Sequence, residues 1–136
     1  MVVISDASRQ LAGILFLAFV TIEAGGLYLV KLSSRSASVT EFQRSFARAG
    51  HAHAGVLVML ALVAQLYVDA VDQSGGVGWL SRSGVAIAAI LMPAGFFFSS
   101  MGKDRDQPNG FITLVIAGAL LLAAGVSSLG IGLLTA

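Results

Sequence analysis

The sequence predicts an all-α integral membrane protein, a four-helix up-down bundle, and three observations predict it. Hydrophobic residues make up 57% of the 136 positions and charged residues only 11%, against roughly 45–50% and about 25% in water-soluble domains. The few charges gather in the links between four long apolar runs. Within those runs the apolar positions go all round, without the dyad alternation of a membrane barrel strand. A backbone in lipid must satisfy its own hydrogen bonds, so each run is predicted to be a helix. The expectation is one membrane domain, 1–136, with helices over about 11–32, 50–72, 83–101 and 110–134.

Each element has its own support. A bilayer core of about 30 Å takes roughly 20 helical residues, and LAGILFLAFVTIEAGGLYLV supplies them, broken only by Glu23. The preceding MVVISDASRQ lacks the basic stretch of a signal peptide and no A-x-A-like site closes the run, so the first run reads as a retained membrane helix. In the link KLSSRSASVTEFQRSFARAG, Ser38 with Glu41 and Thr40 with Gln43 are capping-box pairs. The second helix therefore begins near Glu41, outside the apolar core. The next link, DAVDQSGGVGWLSRS, is rich in Gly and Ser, with Trp79 where interfacial aromatics gather.

The third run carries Pro93 after Met92, a position expected to kink it. GKDRDQPNG is a tight polar turn whose Pro108 and Asn109 suit the start of the last helix. On that helix Ala119, Ala123 and Ser127 form one ladder of small residues, and Ala124, Ser128 and Gly132 the adjacent one. Such ladders let backbones approach closely in lipid and point to packing in the bundle, to a homo-oligomer or to a larger membrane complex. Short connections make sequential helices antiparallel neighbours.

Orientation follows from the basic residues. Lys31, Arg35, Arg44, Arg48, Lys103 and Arg105 lie in the first and third links, and only Arg9 and Arg82 on the other side. The excess predicts cytoplasmic first and third links and both termini on the non-cytoplasmic side of the cell membrane.

Composition also narrows the chemistry. A net charge of +1 without a dense basic run argues against nucleic acid. Cysteine is absent, which removes disulfides, thiolate metal sites and a cysteine nucleophile. No nucleophile elbow, phosphate-binding loop or zinc-protease motif occurs.

The candidate site residues are the polar ones in or beside the spans: His51, His53, Met101, Glu23, Gln65 and Arg48. His51 and His53 are the only histidines. At about 100° per residue they point about 200° apart, so they cannot share one metal or sandwich one haem. The His51 side continues through Arg44, Arg48, Gly55, Val58, Leu62, Gln65, Asp69 and Asp72. Gln65 lies within its apolar part, where glutamine usually bonds another helix. That side is expected to face the bundle or a subunit contact. The His53 side, with Leu57, Leu60, Ala64, Tyr67 and Val71, suits lipid or packing equally. Arg48 nearby would favour the neutral imidazole that a ligand needs.

Glu23 is the second anomaly. A charged carboxylate that deep costs on the order of 3 kcal/mol, so such residues turn inward, pair or stay protonated. Its depth is close to that of His53, and a direct contact between Glu23 and one histidine is expected, orienting the imidazole as a carboxylate does at metal sites. Met101 emerges at the same level, and histidine with methionine is an axial pair for haem.

The run RAGHAHAGVLVML resembles the histidine-bearing second-helix segment of small bacterial membrane proteins akin to a fragment of haem-copper oxidase subunit I. The likeness covers His51-Ala52-His53 and Gly55 with their surroundings. It implies a histidine ligating a haem, of the b type, completed by a symmetry mate, a partner or Met101. No further histidine stands on another helix, so the copper site and oxidase catalysis by this chain alone are not implied. The glutathione-using four-helix membrane enzymes of eicosanoid metabolism share size and topology, but Arg48-Ala49-Gly50-His51 departs from their second-helix spacing.

Three functions stay open. One is a haem- or metal-binding redox or respiratory accessory protein using His51 or His53. Another is a small oligomeric proton-linked transporter or channel. The third is a non-catalytic subunit of a membrane complex.

Overall fold

The computed structural model describes residues 4–34, 39–71 and 73–136. Four long helices account for most of them: α1 (Asp6–Ser34), α2 (Glu41–Val68), α3 (Gly75–Ser99) and α4 (Thr113–Thr135), the last led in by a 3₁₀ turn at Gly110–Ile112. All four helices are long and apolar enough to cross a membrane. Arg35, the Ser38 half of the capping signal, and Asp72 lie outside the described residues.

Helix ends follow local chemistry. At the start of α1 the Ser8 amide donates to the Ser5 hydroxyl at 3.2 Å, and Asp6 in the first turn with Lys31 in the last complements the helix dipole. At the start of α2 the Gln43 amide donates to Thr40 Oγ1 and the Thr40 amide to Gln43 Oε1, both at 3.1 Å. This is the capping box read from the sequence. The other end of the Gln43 side chain donates to the carbonyls of Ser100, at 2.9 Å, and Gly102, at 2.8 Å. One side chain thus starts α2 and closes the open end of α3.

α3 begins at Gly75, earlier than the expected 83, and Trp79 lies inside the helix. The Gly/Ser-rich stretch gains tertiary support that no local propensity records, since Ser81 bonds Ser128 on α4 and Arg82 bonds Ser8 on α1. Gly75, at φ +61, supplies the left-handed turn that starts it. The helix runs through Pro93.

Sequential helices are antiparallel. Side-chain bonds bring Ser5 at the start of α1, Asp69 at the end of α2 and Arg82 near the start of α3 to one end, called here the terminal end. Thr40 ahead of α2 and the polar link after α3 lie at the other, the loop end. The order of contact is an open arc, however, and not the closed ring that a four-helix bundle suggests. α1 packs on α2, α2 on α3 and α3 on α4, with only slight contact between α2 and α4. Half of the membrane-length window of α3 is buried, against 6% of that in α1, so α3 is the centre and α1 the outlier. The main core joins Leu15, Leu57, Val58, Ala61, Val85, Ala86, Ala89 and Met92. Between α1 and α3, above Ala54 and Val58, an apolar cleft of about 490 Å³ remains.

The α3–α4 seam is closed at backbone level. A Cβ on Gly84 would stand 3.1 Å from Gly125 Cα, and one on Gly95 would stand 2.6 Å from Val115 N. The buried glycines of α4 are Gly118, Gly125 and Gly132, at seven-residue spacing. Of the expected ladders, Ser128 and Gly132 meet α3 and its preceding link, whereas Ala119, Ala123, Ala124 and Ser127 face outward. An almost uniformly apolar helix gives the sequence no polar face from which to orient it, and the closest fit chose the glycine row.

Candidate functional site

The polar side chains within and beside the spans fall into two kinds. One kind is consumed in locks between this chain's own helices. The largest lock is at the terminal end. Asp69 receives the Ser5 amide at 2.8 Å and the Ser5 hydroxyl at 2.9 Å, and Arg82 Nη2 at 3.0 Å. Arg82 Nη1 donates to Ser5 Oγ at 3.2 Å and also to Ser8 Oγ. The Asp69 side chain is only 7% exposed and Ser8 is fully buried. Burial raises the Asp69 carboxyl, but the Ser5 amide, the Ser5 and Ser8 hydroxyls and the Arg82 guanidinium outweigh it and hold the group below the usual carboxylate value.

Gln65 sits against this cluster. Its amide donates to the Arg82 carbonyl at 2.9 Å and to the Ala61 carbonyl at 3.2 Å. The interhelical bond expected of a glutamine in an apolar run is therefore made, to α3. A second lock joins the α2–α3 link to α4: Gln73 Nε2 donates to the Ser128 carbonyl at 3.0 Å, and Ser81 Oγ donates to Gln73 Oε1 at 2.6 Å.

The histidines point to different helices, as their spacing predicts. His53 belongs to the α2–α3 seam. Its Nδ1–H donates to the Ala49 carbonyl at 2.8 Å. Its ring lies 4.9 Å from Phe96, which meets Phe46 edge-on at 5.5 Å. Gly50 makes room there, since a Cβ would stand 3.0 Å from the Phe97 ring.

His51 is the exception among the imidazoles. It turns to α1 and lies over a glycine notch, where a Cβ on Gly26 would fall 3.2 Å from its Cε1 and one on Gly25 3.6 Å from its Nδ1. Neither ring nitrogen is hydrogen-bonded among the described residues. The ring opens instead on a shallow outward groove lined by Phe19, Ala52, Gly55, Val56 and Met59.

Glu23 is exposed and has no hydrogen-bond or ion-pair partner among the described residues. The expected Glu23–histidine contact is thus not formed within the chain. On α1, Phe19, Glu23 and Gly26 stand at i, i+4 and i+7 and share one face. Phe19 lines the His51 groove and Gly26 supports the His51 ring, so Glu23 opens on the same side. The acid and the imidazole make no hydrogen bond or ion pair with each other.

The remaining candidates lie elsewhere. Arg48 is exposed and pairs with Glu41 at 3.0 Å, toward the loop end and away from both rings. Met101 is exposed and lines a crevice with Tyr28, Val39, Gln43 and Ala47, to which neither histidine contributes. The described residues contain no cluster of three or more His, Asp or Glu side chains that could hold a metal ion. For a haem, His51 is the one imidazole whose two ring nitrogens are both free among the described residues, and Met101, the expected second ligand, lines a different crevice.

The Ser5–Ser8–Asp69–Arg82 cluster was not anticipated. A signal existed: Ser5 and Ser8 sit one turn apart just ahead of an apolar run, and Arg82 is one of only two basic residues on its side. No family model, no curated protein and no solved structure matches this chain.

Proposed function

We propose that the chain is a non-catalytic subunit of a membrane assembly, embedded in the cell membrane with both termini on the non-cytoplasmic side. The observation that carries this reading is the division of polar groups. Buried side-chain bonds lock α1 to α2, α2 to α3 and α3 to α4, with the Gln65 Oε1 atom left buried and unpartnered. Glu23 is exposed without a hydrogen bond or ion pair among the described residues, and the unbonded His51 ring opens on the outward groove beside Phe19, one turn before Glu23 on the same helix. An ionisable group turned to acyl chains is costly, and such residues ordinarily mark a partner or a pathway. A transport pathway would need Glu23, Gln65 and a histidine to line one passage. Gln65 is instead buried against Arg82, and His53 is held at Phe96.

A photo-crosslinking residue at position 23, with position 119 on α4 as control, tests this in native membranes. Protein adducts specific to position 23 support the reading; adducts to lipid alone refute it. Sidedness is read by labelling cysteines introduced singly at Asp104 and Thr135, and only Thr135→Cys reacts with an external impermeant reagent. A second reading, favoured by the unbonded His51 imidazole, makes it an axial haem ligand completed from another chain. A haem band in the purified protein that is lost in His51→Ala supports that reading.

A further inference from the structure

We infer that the partner on the Glu23–His51 face is a second copy of this chain, joined through reciprocal Glu23–His51 contacts about a two-fold axis along the membrane normal. This rests on the assembly reading above and names its occupant. Two copies inserted by the same rules have the same orientation, so a group in one can meet only groups of its own depth in the other. Glu23 stands three residues from Gly26, the residue beneath the His51 ring, a difference of about 4.5 Å along the helix. Side chains span that offset.

The face is also self-complementary. It carries one acid, exposed three residues before Gly26, and one imidazole seated over Gly26, neither of them bonded among the described residues, and a two-fold operation places each opposite the other's counterpart twice. Within one chain the pair is held apart because the imidazole is seated over Gly25 and Gly26 while the acid points outward. The α2 side of the groove is low: Ala52 and Gly55 are small, and a Cβ on Gly55 would meet nothing within 4 Å. That space admits the exposed Phe16 or Val20 of the opposing α1. The contact requires no particular proton position. A charged pair and a neutral hydrogen bond both satisfy the two groups.

The test uses the full chain in vesicles of phosphatidylcholine and phosphatidylglycerol. The chain has no cysteine, so Ala52→Cys reports proximity by disulfide formation and Ala119→Cys, on the outward face of α4, is the control. Dimers are expected with Ala52→Cys and not with Ala119→Cys. Adding either Glu23→Ala or His51→Ala weakens dimer formation about tenfold.

The decisive arm mixes the two variants. A Glu23→Ala copy retains His51 and a His51→Ala copy retains Glu23, so their heterodimer keeps one complete pair while each homodimer keeps none. Mixing is therefore expected to restore dimers that contain one of each, which also shows that both variants fold. Failure of mixing to restore them overturns the reciprocal pairing. A monomeric wild type whose position 23 still crosslinks to a different protein overturns the homodimer and leaves the subunit reading standing. A monomer crosslinked only to lipid overturns both.

Discussion

The α3–α4 seam and the outer side of α1–α2 are built from similar residues to opposite ends. At the seam, glycines bring two backbones into contact and the Gln73–Ser81–Ser128 bonds close the terminal end, so nothing polar remains to offer. On the other side, glycines at 25, 26 and 55 also clear space, but the space is filled by an imidazole or left open. Small residues in a membrane helix thus mark closeness, and the neighbouring polar groups decide whether the closeness is internal or external. Where those groups are satisfied the surface is finished. Where they are free, the surface is the one on which we propose a partner.

Breaking the seam should have the largest effect on the fold. Gly95→Leu drives a side chain into the Val115 backbone and is expected to cost about 3 kcal/mol, measured as the loss of helical signal on titration with denaturing detergent. Asp69→Ala comes next. It leaves Arg82, 27% exposed, without its counter-charge, and about 2 kcal/mol is expected from the broken bonds. The same carboxylate predicts an acid limb. Its folded value lies below the ordinary 3.8, so the unfolded chain takes up the proton more readily. The contribution is complete above about pH 4 and is lost on further acidification. Melting followed against pH should be steeper below pH 4 in the wild type than in Asp69→Asn.

Thr40→Ala removes the α2 cap and its bond to the Arg105 carbonyl, for about 1 kcal/mol, read as reduced protection of the first α2 amides in hydrogen exchange. Glu23→Gln should have the smallest effect on the monomer's fold, within about 0.5 kcal/mol. Equal losses at Glu23 and Asp69 would erase the contrast between a finished and an unfinished surface.

Much of the fold was legible because lipid removes alternatives. Four apolar runs become four helices, Thr40 with Gln43 fixes the start of α2, and the two-residue spacing of the histidines fixes their divergence. Gln65 announced its bond to another helix by standing in an apolar run. What stayed hidden depends on rotation about helices that are apolar all round. Nothing in the first helix says which way Glu23 turns, and it turned outward instead of toward a histidine. Nothing in the last says that Gly118, Gly125 and Gly132 would outrank Ala119, Ala123 and Ser127. The Ser5–Asp69–Arg82 cluster escaped for another reason: its members are far apart in sequence and each looks like an ordinary flanking residue.

That distance has a consequence for biogenesis. Arg82 lies 77 positions after Ser5 and 13 after Asp69. A ribosome therefore finishes the first two spans well before the guanidinium that ties them together leaves its exit tunnel. Until then the opening helix is fastened by its apolar length and by the two Ser5–Asp69 bonds, with the Asp69 charge still unpaired. Synthesis of the third span acts as the latch, which sets the order in which the nascent chain can settle.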